Sequence, residues 1–126
     1  MSIVLDAGAF LAVERGDREM VALIKRERGE GRAPISHGGV IGQVWRGGHG
    51  RQAAVARLMR GVDVRPIDDA LGRRAGVLLG LAGRADVVDA AVVLLSRDGD
   101  EIVTSDPEDL HALARAAGLH VELLPI

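Results

Sequence analysis

The sequence predicts an α/β fold: a parallel sheet with helices on both faces. Three observations predict it. Five short apolar runs alternate with longer stretches of helical periodicity, and strands joined by helical crossovers must pair in parallel. At 126 residues and 48% hydrophobic composition, the chain is the size of one ordinary domain, 1–126, with a substantial core. That core is aliphatic, because Phe10 and Trp45 are the only aromatic residues.

Taken in order, Ser2 to Leu5 reads as a buried strand. Ala9 to Val13 and Asp17 to Glu27 read as helices, the second with Met20, Leu23 and Ile24 on one face. Pro34 to Ser36 is a short strand, followed by helical stretches at Gly39 to Trp45 and Gln52 to Met59. Val62 to Pro66 is the third strand, and Asp69 to Leu81 and Val87 to Leu95 are helices. Glu101 to Thr104 is the fourth strand, Pro107 to Ala117 a helix, and His120 to Leu124 the last strand. The Gly/Arg-rich turns Gly29 to Arg32 and Gly47 to Gly50 are connectors, and no internal repeat is present.

Composition narrows the function classes. The absence of cysteine removes disulfide frameworks, thiolate zinc sites and a cysteine nucleophile, and fits a reducing, cytoplasmic setting. No apolar run approaches a membrane span, and MSIVLDAGAF lacks the features of a signal peptide. Two aromatics do not make a base-stacking platform. Net charge is −2, yet Arg46, Arg51, Arg57 and Arg60 gather within one short span. No dinucleotide fingerprint or P-loop occurs, so a nucleotide cofactor is not expected. A phosphoacceptor domain would need an acidic pair after the first strand and a lysine near the site, and Lys25, the only lysine, sits in an early helix.

In an open parallel sheet, ligands bind beyond the carboxyl ends of the strands. SIVLD ends on Asp6 and EIVTSD on Asp106, while GRADVVDAAVVLL places Asp86 and Asp89 at i and i+3 on one face of a helix start. Each has a plain alternative as a helix cap, as do Asp68 and Asp69 after the third strand, where capping is the preferred reading. If the first and fourth strands are neighbours, Asp6, Asp89 and Asp106 converge. Their mutual repulsion then calls for a cation, and hard oxygen ligands without cysteine point to Mg²⁺ or Mn²⁺.

These segments resemble the PIN-domain ribonucleases, and among them the small VapC-like toxins of type II toxin-antitoxin systems. SIVLDAGAFLA resembles the family's opening strand with its first acid, Asp6. VVDAAVVLL resembles the helix carrying the third, Asp89, and IVTSDPEDL the strand and turn carrying the fourth, Asp106. The resemblance implies a three-layer PIN-like fold with a five-stranded parallel sheet of order 3-2-1-4-5. It also implies cleavage of RNA by metal-activated water, a Mg²⁺ or Mn²⁺ cofactor, a homodimer and a cognate antitoxin partner. Asp86, one turn before Asp89, is an additional candidate for holding metal or water.

Two positions depart from the family pattern. Where ISxxxxxE places the second acid, ISHGGVIGQ places Gln43, whose carbonyl oxygen orients water or substrate but cannot act as a carboxylate base. Where a Ser or Thr commonly follows the first acid by two residues, Gly8 stands. Two readings follow: a metal-dependent endoribonuclease using Asp6, Gln43, Asp89 and Asp106, or a catalytically weak PIN-like metal- or RNA-binding protein. Arg46 and Arg51 flank the loop GGH near Gln43 and are candidate phosphate contacts, with His49 a secondary one. His37, His111 and His120 lack zinc-site spacing and read as surface or packing residues. Trp45 is expected in the core or at a dimer contact.

Overall fold

A computed structural model describes residues 1–126. The chain runs β1 (Ile3–Leu5), α1 (Ala7–Glu14), α2 (Arg18–Gly29), β2 (Ile35–His37), α3 (Gly38–Val44), a 3₁₀ turn (Gly50–Gln52), α4 (Ala53–Met59), β3 (Asp63–Arg65), α5 (Asp69–Ala82), α6 (Val87–Leu94), β4 (Glu101–Thr104), α7 (Pro107–Ala117) and β5 (Glu122–Pro125). Five parallel strands form one sheet of order β3-β2-β1-β4-β5.

The order dictates the layers. From β1 the chain steps outward through β2 to β3, then crosses back to β4 and steps outward the other way to β5. Right-handed crossovers then put α1 to α4 on one face and α5 to α7 on the other. Packing follows that division: α1 lies against α2, α3 and α4, while α5, α6 and α7 pack on one another. The strand order reverses between β1 and β4, so their carboxyl ends frame the crevice where open α/β sheets bind ligands.

The register makes those ends level. Leu5 pairs with Val103, and the Asp6 amide donates to the Val103 carbonyl at 3.0 Å. All three β1 residues are buried, as are Ile102 and Val103 of β4, within a 24-residue aliphatic core built around Phe10. Removing a ring as buried as Phe10 costs about 3–5 kcal/mol.

Several boundaries move from those the sequence suggests. The first helix begins at Ala7 rather than Ala9, because Asp6 caps it by accepting from the Ala7 amide at 2.8 Å. β2 extends to His37, whose extended backbone and ring cap α3. The stretch after the glycine loop divides into the 3₁₀ turn and α4. β5 starts two residues later than expected and admits Pro125 because it is an edge strand. Asp68 caps α5 through the Leu71 amide, as expected.

Trp45 is neither a core residue nor fully exposed: it follows α3 with 38% of its surface open. Its ring lies across Gly48, a residue at φ +77°, where any β-carbon would overlap the indole. The glycines of the loop therefore make room for the one tryptophan.

Candidate functional site

Three chain segments meet at the β1–β4 end: the start of α1, the first turn of α6 and the turn into α7. Thr104, the last residue of β4, joins two of them. Its buried hydroxyl donates to Asp6 Oδ2 at 2.8 Å and accepts from the Asp106 amide at 2.9 Å, coupling residues 98 apart in sequence. Asp6, 6% exposed, is thus held at both carboxylate oxygens, one by Thr104 and the other by the Ala7 amide.

Gly8 belongs to the same junction. A β-carbon there would come within 2.9 Å of Ser105 N, Cβ and Oγ. The departure from the expected Ser or Thr thus has a steric cause: α1 packs directly against the β4–α7 turn, and the nearby hydroxyls belong to Thr104 and Ser105.

Asp86 occupies the N-cap of α6, and its Oδ1 accepts from the Val88 and Asp89 amides at 2.9 and 3.1 Å. That geometry is the capping alternative raised for it, with one oxygen fully engaged. Asp89 follows one turn later, half-buried, and its carboxylate receives no hydrogen bond from the protein. Burial pushes the Asp89 carboxyl up to about 7, and the charges of Asp86, Asp6, Asp106 and Asp109 push in the same direction.

Asp106 stands at the N-cap position of α7 but makes no capping bond to the amides of that helix. Its pKa is raised, first by a hydrogen bond shared with the Asp109 carboxyl, then by burial and the charges of Asp109 and Asp6. Asp89, Asp106 and Asp109 each offer an oxygen within 4.8 Å of the others'. Asp109 was not among the acids singled out from sequence. Its signal was present in the Asp106–Asp109 spacing at a helix start, the same i, i+3 arrangement as Asp86 and Asp89. Arg84, from the turn before α6, donates to Asp109 Oδ1 at 2.9 Å and supplies a cation at the cluster's edge.

The remaining expected site residues lie around α3 and the loop that follows. Gln43 is exposed in the last turn of α3, and its amide makes no hydrogen bond. Arg46 turns back on the same helix, donating from Nη1 to the Trp45 and Gly42 carbonyls at 2.6 and 3.2 Å, so part of its donor set caps α3. His49 and Arg51 are exposed, and neither ring nor guanidinium has an internal partner. Arg57 and Arg60 are exposed as well and form no ion pairs.

The loop itself is anchored by a residue the sequence did not flag. Gln52, 7% exposed, accepts with Oε1 from the Arg46 and Gly48 amides at 2.7 and 3.1 Å. Its Nε2 donates to the Val44 carbonyl at 2.6 Å and to Glu14 Oε2 at 3.3 Å. Every hydrogen-bonding capacity of a buried amide is used, which fixes the span carrying Arg46, His49 and Arg51 onto α1.

No protein-family model matches the sequence, and no curated protein matches it. Among solved structures, the chain superposes on a chain of the crystal structure of VapBC2 from Rickettsia felis bound to a DNA fragment from their promoter. The TM-score is 0.71 at 10% identity, over 98% of this chain and 99% of that one. The fold is PIN-like. A five-stranded parallel sheet of order 3-2-1-4-5, which the sequence resemblance implied, is what the PIN-like topology here contains. At this identity the likeness is one of fold. No helix in the PIN-like chain is long and apolar enough to cross a membrane.

Proposed function

We propose that this protein is a metal-dependent endoribonuclease, a single PIN-like domain acting as the toxin of a toxin-antitoxin pair in the cytoplasm. The observation that carries the reading is Asp89: a half-buried carboxyl with no protein donor, raised to about 7, facing Asp106 and Asp109. Such groups cluster at functional sites, and a set of hard oxygens that includes a carboxylate without a protein donor suits a divalent cation.

Asp6, Asp89 and Asp106 would hold Mg²⁺ or Mn²⁺, with Asp109 as a further oxygen donor. When bound, such a cation offsets the carboxylate charge and lowers the pKa of a water for attack on a phosphodiester. The chain's own residues do the positioning. Thr104 sets Asp6 relative to the α7 turn, and Asp86 orders the turn bearing Asp89. Exposed Arg51, with the outward donors of Arg46 and the ring of His49, would contact RNA phosphates. Gln43 orients substrate or water through its amide. The VapBC2 neighbour is bound to a DNA fragment from its promoter, and by analogy of fold and the family resemblance a cognate antitoxin and a second copy of this chain are the proposed partners.

The test is cleavage of a structured RNA by purified protein with Mn²⁺. Asp6→Asn is expected to abolish it, and cleavage unaffected by that substitution would sink the assignment. One observation favours a second reading, a weakly catalytic metal- or RNA-binding protein: the family's second acid is absent and Gln43 is neutral. Gln43→Glu separates the two. Tighter Mn²⁺ binding with faster cleavage supports the nuclease, whereas an unchanged titration means that position 43 does not face the metal.

A further inference from the structure

We propose that His37 is a positioning residue for the carboxylate site: its imidazole ties the first turn of α6, and with it Asp89, to the end of β2. The inference rests on the metal-site reading above and adds to it a residue outside the acid cluster. His37 is fully buried at 0% exposure, unlike a surface histidine. Its Nδ1 accepts from the Gly39 amide at 3.0 Å, which leaves the hydrogen on Nε2. Nε2 then donates to the Val88 carbonyl at 2.9 Å, across 51 residues of sequence. Only the neutral Nε2–H ring makes both bonds, since an imidazolium has no acceptor for Gly39.

The local sequence is built around that ring. A β-carbon at Gly39 would lie 2.9 Å from His37 Cε1 and 3.0 Å from Nδ1, so a glycine stands where the imidazole passes. On the far side, Val88 immediately precedes Asp89, and the amides of both bind Asp86. The turn that presents Asp89 is therefore held from within by Asp86 and from across the domain by His37. Burial lowers the pKa of the ring, while its bond to Val88 and the charges of Asp6 and Asp86 oppose that shift. His37 thus acts on Asp89 through the backbone of the preceding residue, and groups that orient a ligand in this way tune its affinity.

Two substitutions separate the two bonds. His37→Gln places an amide Nε2 within reach of Val88 but loses the Gly39 contact; His37→Asn keeps an acceptor for Gly39 but is too short for Val88. In His37→Asn the dissociation constant for Mn²⁺, followed by calorimetry on purified protein, is expected to rise about tenfold, and in His37→Gln to stay within about twofold. In metal-free protein, amide exchange at Asp89 and Ala90 is expected to quicken in His37→Asn but not in His37→Gln. Wild-type affinity and exchange in His37→Asn would overturn the proposal. If wild-type protein binds no Mn²⁺, the metal reading fails, and the exchange pattern alone decides the positioning role. Should neither variant fold, the imidazole ¹⁵N spectrum of wild-type protein decides it: an Nε2–H tautomer supports the proposal and an Nδ1–H tautomer overturns it.

Discussion

At the amino ends of the strands, Asp100 accepts from the Ser2 amide at 2.7 Å and the Arg97 amide at 2.8 Å, and fully buried Glu27 receives two bonds from Arg32. At the carboxyl ends, Asp89 receives none, and Asp106 shares a hydrogen bond with a neighbouring acid. The same residue type serves opposite purposes. Carboxylates at one end close the fold by satisfying backbone amides and an arginine. Those at the other end keep unspent acceptor capacity, a local cost in stability of the kind that functional sites carry.

The contrast breaks most clearly at Asp100. Asp100→Ala leaves two amide donors without their acceptor and is expected to destabilise the protein by about 2 kcal/mol in urea unfolding. If the loss is negligible, the amino-end carboxylates are not structural. Asp89→Asn is expected to act the other way, stabilising metal-free protein by about 1 kcal/mol at neutral pH while abolishing stabilisation by Mn²⁺. The sign of its pH dependence follows from the raised carboxyl. Folded Asp89 holds its proton up to about 7, above the unfolded value, so its contribution is complete at low pH and is lost as pH rises through about 7. The stability advantage of Asp89→Asn over wild type should therefore grow between about pH 4 and pH 7 and level off above it, and a flat difference would remove the argument from burial and repulsion.

The smallest effect is expected at the boundary of the cluster. Arg84 and Asp109 are both about two-fifths exposed, and Arg84→Ala should change stability by less than about 1 kcal/mol. It also frees Asp109 from a competing cation, so Mn²⁺ affinity is expected to rise several-fold. A fall in affinity would mean that Arg84 orients Asp109 for the metal instead of competing with it.

Much of the fold was legible because its signals are periodic. Short apolar runs and caps such as Asp68 declare themselves along the chain, and the segments around Asp6, Asp89 and Asp106 each carry a recognisable strand or helix start. The rest depends on partners that pattern does not encode. Gln52 bonds mainly to backbone amides and carbonyls, so no complementary residue announces it. A single histidine reads alike whether it faces water or, like His37, bridges a strand end to a helix. Gly8 and Gly39 resemble ordinary flexible positions until the atoms crowding them are known. Asp109 was hidden by its conventional place in the acidic first turn of a helix.

The hydroxyl of Thr104 also bears on when the carboxylate cluster is assembled. Asp6 leaves the ribosome early, but the group that orients it and the acids that complete its cluster are made roughly a hundred residues later. Parallel β1–β4 pairing is a non-local contact of the sort that forms late in folding. A chain without β4 can hold only the β3-β2-β1 half of the sheet, and its Asp6 lacks the hydroxyl that orients it.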